Sequence, residues 1–388
     1  MAKTNYTVNG NEYYRVSLEI GVDADGKRIR KRFYGKTKKE AEQKKQDYII
    51  KQAQGIKIDK TLWFAQTFKT WLFEVVKMSG IKPTTFARYE GLYRNYIESC
   101  PIACISIDKI EPLMIQRYYN DLYKNQKKSC SQIAYLNKFI KKFLSYCVDC
   151  NYIISNPCSG NRIALPKEEQ KEAKTDTIEI FTDEEINKLK SSDDCKMKYI
   201  ALFSLATGMR RGEVIALKES DIDLKHKEIH IRRTVATTTI FDENNNKTKQ
   251  TIIQVPKTKN SIRDIPFPES LKGVLKKAIV LRTEEKLKAG ESYNTSNQEF
   301  IFLSELGNFI NAGNLDKTWA KYLKTLEIPH KKFHALRHTY ATKQFENNIA
   351  LKTVSALLGH SDISMTANIY THVLKKQKEK SIDILGII

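Results

Sequence analysis

No single hydrophobic core can run the length of this chain. The stretch PKEEQKEAKTD, Pro166–Asp176, is charged and has no aromatic or β-branched apolar residue. With nothing to bury, it reads as an exposed linker. A chain of 388 residues is long enough for two or three domains with cores of their own, and one boundary falls inside this linker. Upstream of it two patterns separate. Glu12–Gly21 and Lys27–Gly35 alternate around Asp25-Gly26, a pair that tolerates the positive φ of a tight hairpin. Thr37, with Glu40 three residues on, then opens a helix to about Gln54. Beyond Lys60 the spacing is helical. Phe64–Met78 puts Phe68, Trp71, Leu72 and Val75 on one face, and a second helix, capped at Thr84 or Thr85, carries Tyr89, Leu92, Tyr93 and Tyr96. Ile110–Lys124 and Ser131–Cys147 continue the bundle, and Asn156-Pro157 closes it.

After the linker, a capping box at Thr182–Glu185 starts a helix, and Tyr199–Ala206 forms another that stops at Gly208. Three strands are expected at Lys227–Val235, Gln250–Pro256 and Ser261–Pro268, in one small antiparallel sheet with a turn at Asn244–Asn246. Helices resume at about Glu269. The expected fold is multidomain and mainly α: a small β-sheet-plus-helix domain at 1–58, a helical bundle at 59–168, and a mostly α domain with a small antiparallel sheet at 169–388.

Charge points to a partner. Lys and Arg number 66 against 45 Asp and Glu, a formal charge of +21. A surplus of that size suits a polyanion, nucleic acid before an anionic membrane. Residues 1–60 alone hold 15 basic and 8 acidic side chains. Within them Arg28, Arg30 and Arg32 alternate, so they share one face of a strand that ends in Phe33 and Tyr34. A ribbon of this kind can lie in a DNA groove. No apolar run approaches the roughly 20 residues of a membrane span, and the first residues have no apolar signal core. The expectation is an intracellular protein with no membrane partner. The seven cysteines are an odd number and read as reduced thiols. Cys147 and Cys150 have no second matching pair and read as a helix end, so no metal is expected.

Four motifs carry the chemistry: TGMRRGE from Thr207, KTKNSIRDIP from Lys257, HALRHT from His334, and LGHS with IYTH from Leu358 to His372. In this order they resemble the tyrosine recombinases, in the integrase branch of phages and conjugative transposons. Nearly the whole chain is covered, sharply only in its last half. The resemblance implies a site-specific DNA recombinase of a mobile element, working through a 3′-phosphotyrosyl intermediate and a Holliday junction, with no cofactor, ATP or metal. Matching the motifs residue by residue makes Tyr370 the nucleophile. Arg210 and Arg337 become a clamp on the non-bridging oxygens, where a planar, permanently charged fork fits two of them. Lys257 becomes the general acid for the leaving 5′-oxygen, with Lys259 its rival or a DNA contact. His334, one helical turn before Arg337, becomes a base or phosphate donor, and His360 a donor. Glu213 supports the clamp. Arg211 is rejected by its place in the motif, and His338 and His372 are left as structural. Tyr340 is the rival nucleophile, but its offset of three from Arg337 suits packing on the same helix.

The resemblance also implies that 1–58 is a three-stranded, arm-type DNA-binding domain and 59–168 a core-site-binding domain. It implies double-stranded DNA with core and arm sites, a homotetramer on that DNA, a directionality factor, a host DNA-bending protein, and the bacterial cytoplasm with its nucleoid as the setting. The apolar tail within Lys375–Ile388 is expected to dock on a protomer, in cis or in trans. The competing readings are a chromosome-dimer resolvase, a topoisomerase-like enzyme with the same catalytic set, and a DNA-binding regulator with an inactive catalytic domain.

Overall fold

The structure, a computed structural model, describes residues 6–8, 11–22, 28–53, 61–167, 178–256 and 259–371. The chain divides into two compact units, Met1–Gln170 and Lys171–Ile388. The Asp25-Gly26 turn, most of the linker, Lys257, His372 and the tail lie outside the described residues.

The first unit opens with strands β1 (Tyr6–Val8), β2 (Asn11–Val22) and β3 (Arg28–Gly35), joined in the antiparallel order β1-β2-β3. The β2–β3 register shifts between Glu19 and Gly21, so β2 carries one extra residue there, a bulge. Helix α1 (Lys38–Ala53) follows, with the Thr37 hydroxyl accepting from the Glu40 amide at 3.2 Å. Period-two alternation sorts β3 cleanly. Phe33 turns to α1, its ring 5.4 Å from Tyr48, and the Lys31 ammonium lies 4.3 Å over the same ring. Arg28, Arg30 and Arg32 are exposed; the Arg28–Glu19 ion pair at 3.4 Å is open to solvent on both sides and adds little stability.

The rest of the unit is helical: α2 (Phe64–Thr70), α3 (Pro83–Tyr96), α4 (Pro112–Lys124) and α5 (Cys130–Asp149). Its core is a stack of rings, with Phe68 within 4.3 Å of Phe143 and 4.9 Å of Phe139, and Trp71 5.4 Å from Phe143. Two expectations fail here. Trp71–Val76 is a π-helical turn, in which the Lys77 amide reaches back five residues to the Leu72 carbonyl. That extra residue rotates the face, so Val76 is buried while Val75 is exposed. The next helix is not capped by Thr84 or Thr85. It begins at Pro83, whose fixed φ and missing N–H suit the first helical position.

The second unit contains α6 (Asp183–Ser191), α7 (Lys196–Thr207), α8 (Arg211–Ile215), β4 (Ile222–Asp223), β5 (Glu228–Ile231), β6 (Thr234–Phe241), β7 (Lys247–Gln254), β8 (Arg263–Pro266), α9 (Ser270–Ala289), α10 (Ala312–Thr325), α11 (Ala335–Glu346) and α12 (Leu351–Leu358). The capping box at Thr182 and Glu185 is formed. The expected single sheet is two. β4-β5-β8 is one, and β6–β7 is a separate antiparallel ribbon inserted between β5 and β8. The expected strand Lys227–Val235 breaks because Arg232 and Arg233 leave the ladder for carboxylates: Arg232 bonds Asp264 at 2.7 Å, and Arg233 pairs with Asp221. Most of the core lies among α7, α9, α10 and the β5-β8 pair, with Phe203, Ile229, Ile265, Leu315, Trp319 and Leu323 buried. A second cluster joins α11 and α12 to the segment after them: Tyr340, Ala341, Phe345, Val354, Leu358 and Ile369.

Candidate active site

The site forms where α12 ends. A helix leaves its last carbonyls without intrahelical partners, and they carry partial negative charge. Here three consecutive carbonyls are taken by three arginines from different elements. The Leu357 oxygen accepts from Arg263 Nε at 2.7 Å. The Leu358 oxygen accepts from Arg337 Nη2 at 2.7 Å and from Arg210 Nη1 at 3.4 Å. The Gly359 oxygen accepts from Arg210 Nη2 at 3.0 Å. Arg337 Nη1 also donates to the Gly208 carbonyl at 2.8 Å, across from the end of α7.

Two glycines make this convergence possible. Gly208 and Gly359 end α7 and α12 with φ of +64° each, a conformation that is costly for residues with a Cβ. They also lack space for one. A Cβ on Gly208 would stand 2.5 Å from the Tyr340 ring, and one on Gly359 would stand 2.7 Å from the Asn260 carbonyl.

Among the described residues, one carboxylate faces the three cations. Glu213 is buried on α8; its oxygens accept from the Arg210 amide at 2.9 Å, Arg210 Nη1 at 3.0 Å and Arg263 Nη2 at 3.0 Å. Burial alone would push its pKa up; the Arg263 and then the Arg210 guanidinium outweigh burial and hold it below the usual carboxylate range. Arg337, only 2% exposed, has no carboxylate partner among the described residues. Burial, with the Arg210 charge next, pushes its pKa down to about 9. It remains cationic at neutral pH, bonded to carbonyl oxygens alone and with the Glu213 charge acting on it only through space. A buried cation in that state favours an anion beside it.

The histidines border the cluster. His334 precedes the first turn of α11, and its ring meets that of His338 at 4.7 Å, edge to face. Arg210 and His334 both line a cleft of about 690 Å³, together with Thr234, Trp319, His330 and Lys332. His360 Nδ1 is bonded to the hydroxyl of the fully buried Thr366 at 2.6 Å. Burial first, then surrounding cations, pushes His334 and His360 down to about 4. His334 keeps an open edge to solvent, so for it the cations are the firmer cause. Tyr370 lies in the helical residues 364–371, half-buried, its ring 5.1 Å from that of Phe345.

The depressed histidines fix a sign. A group that is neutral when folded gives stability that is full above its unfolded pKa near 6.5 and is lost as pH falls toward 4. The urea midpoint should therefore drop between pH 7.5 and pH 5. His360→Gln, which can still bond Thr366 but cannot titrate, should flatten part of that slope. A midpoint that rises on acidification, or a slope identical in His360→Gln, contradicts the assigned environment.

Arg210, Glu213, Arg337 and His360 are thus linked through the end of α12, and His334 joins Arg210 at the cleft. Tyr370 is tied to the same region through the cluster that also holds Leu358. Lys257 is outside the described residues, as is the side chain of Lys259. Arg211 pairs with Asp316 instead of joining the cluster. Arg263 escaped the sequence reading. It sits inside the KTKNSIRDIP motif, but strand spacing alone does not distinguish it from an exposed arginine.

Residues 176–377 match the phage integrase family, and residues 63–123 match the phage integrase N-terminal SAM-like domain. The chain is 50% identical over 387 residues to a tyrosine recombinase XerC-like protein of Caldanaerobacter subterraneus subsp. tengcongensis, covering 99% of this chain and 98% of that one. It is a tyrosine recombinase of the phage integrase family. An integrase of Staphylococcus phage L54a is 30% identical, over 82% of this chain and 90% of its own length. Among solved structures, a Tn1549 transposon integrase in complex with a circular intermediate DNA shares the fold. Its TM-score is 0.62 at 18% identity, covering 82% of this chain and 99% of that one. As a member of the phage and conjugative-transposon branch, the recombinase catalyses site-specific recombination of a mobile element. No helix among the described residues is long and apolar enough to cross a membrane.

Proposed function

We propose that this recombinase cleaves DNA by attack of the Tyr370 hydroxyl on the scissile phosphate. The Tyr370 oxygen–phosphorus bond forms and the phosphorus–5′-oxygen bond breaks. The phenolic proton passes to a base, for which His334 is the candidate, and the 5′-oxygen takes a proton from Lys257 or Lys259. The ester energy is kept in the 3′-phosphotyrosyl bond, so the same site can religate without ATP. Arg210 and Arg337 bind the non-bridging oxygens as negative charge builds. His360, anchored at Nδ1 by Thr366, offers Nε2 to the same phosphate. Glu213 holds Arg210. The observation that carries the reading is three guanidiniums at one helix end with one carboxylate between them, an arrangement that favours an anion.

Double-stranded DNA is the substrate. In this proposal 1–58 binds arm sites, 59–168 binds core sites and 169–388 carries the chemistry. Four copies exchange strands on two duplexes through a Holliday junction, in the bacterial nucleoid, with a directionality factor and a host DNA-bending protein. The Tn1549 integrase bound to its circular intermediate DNA and the exposed arginines of β3 support this assignment. Strand exchange between two attachment sites tests it: product should form in EDTA without nucleotide. Product that appears only when Mg²⁺ or ATP is supplied overturns the proposed chemistry.

The modules should also separate. Changing Arg28, Arg30 and Arg32 together to Ala should weaken arm-site binding about 10- to 100-fold and lower its salt slope by up to about 3. Cleavage of an isolated core site should be unchanged. Equal losses at both sites would refute an arm-binding role for 1–58.

A further inference from the structure

The three-arginine cluster contains one member that the reaction as described does not use. Arg263 is 9% exposed and lies at the start of β8. Its guanidinium makes four bonds: Nε to the Leu357 carbonyl at 2.7 Å, Nη1 to the Ser261 carbonyl at 3.1 Å, Nη1 to Glu213 Oε1 at 3.3 Å, and Nη2 to Glu213 Oε2 at 3.0 Å. It therefore ties together α8, the end of α12 and the 3₁₀ turn Lys259–Ser261.

Glu213 decides what this arrangement does. Its charge is shared between Arg210, through one side-chain bond and one backbone bond, and Arg263, through both carboxylate oxygens. Arg210 is about one third exposed; Arg263 is enclosed. If Glu213 had Arg210 alone, that pair would neutralise the exposed arginine and draw it toward the carboxylate. With Arg263 present, most of the carboxylate charge is met from behind, and Arg210 keeps both its position and an uncommitted positive charge. Lysine cannot replace this, since a single ammonium does not reproduce a four-bond planar fork.

We infer that Arg263 is a positioning residue for DNA cleavage: it balances Glu213 so that Arg210 stays aimed and charged toward the scissile phosphate. The inference rests on the assignment of Arg210 to the phosphate clamp. It concerns the charge met by a non-bridging oxygen, so a substrate lacking that charge reports on it. Single-turnover cleavage of a nicked suicide duplex is measured with a phosphodiester or a methylphosphonate at the scissile position, alongside DNA affinity and the melting temperature. On the phosphodiester, Arg263→Lys should cleave about 10- to 100-fold slower than wild type, less than the loss of a direct donor, with affinity within about threefold. On the neutral methylphosphonate the gap between Arg263→Lys and wild type should shrink to within about threefold. Glu213→Gln should remove most of the additional loss caused by Arg263→Lys, because no carboxylate remains to balance. If Arg263→Lys alone folds poorly, the double variant is compared with Glu213→Gln, and the two should cleave within about threefold of each other.

A gap of equal size on both substrates, or full additivity with Glu213→Gln, would make Arg263 purely structural and overturn the inference. Arg210→Lys separates this outcome from failure of the clamp itself. If its loss shrinks on the methylphosphonate while that of Arg263→Lys does not, only Arg263 is misassigned. If Arg210→Lys loses nothing on the phosphodiester, or loses equally on both substrates, the clamp assignment fails.

Discussion

Arg337→Lys is expected to slow DNA cleavage by about 10²- to 10³-fold, the cost of removing one preorganised donor from a developing oxyanion. Site affinity should change by no more than about threefold, because phosphate contacts spread along the duplex supply most of the binding. Arg337 is held from two sides. Its two terminal nitrogens donate to the carbonyls of Gly208 and Leu358, on opposite sides of the cluster, and the side chain is buried. A lysine can reach one of those oxygens. If it keeps Leu358, the Gly208 oxygen loses its donor, at a cost of about 1–3 kcal/mol. If it keeps Gly208, the Leu358 oxygen is left with only the longer Arg210 contact at 3.4 Å, so in either case the melting temperature should also fall. Cleavage is therefore compared at saturating protein and below the variant's melting transition. A rate that falls only in proportion to DNA affinity would make Arg337 a structural buried cation instead of a member of the clamp.

Local chemistry was legible where the local signal was complete. The Thr182–Glu185 capping box, the Gly208 stop after α7 and the alternating arginines of β3 all follow from short-range rules, and each is formed. The failures have tertiary causes. Val75 and Val76 exchange places because a π turn adds one residue, which a 3.6-residue period does not anticipate. Lys227–Val235 divides because Arg232 and Arg233 find carboxylates on neighbouring segments, Asp264 and Asp221. The motifs supplied candidate site residues, but not the reason they converge. That reason is three carbonyls left open at the end of α12, and Arg263 belongs to it only because Glu213, fifty positions away in sequence, is folded against it.

The largest effect is expected at Tyr370. Tyr370→Phe keeps the ring that packs 5.1 Å from Phe345, so folding and DNA binding should persist, while cleavage should fall by at least about 10³-fold, as for loss of a catalytic nucleophile. Tyr340 is the rival. It is buried, its ring lies against Gly208, and burial pushes its hydroxyl pKa up, away from what a nucleophile needs at neutral pH. The deciding measurement is covalent capture on a nicked suicide duplex carrying the attachment site, read as a shifted band on a denaturing gel and mapped by peptide sequencing. Wild type and Tyr340→Phe should both form the adduct, with DNA joined to residue 370, and Tyr370→Phe should form none. An adduct that persists in Tyr370→Phe and disappears in Tyr340→Phe would contradict the account.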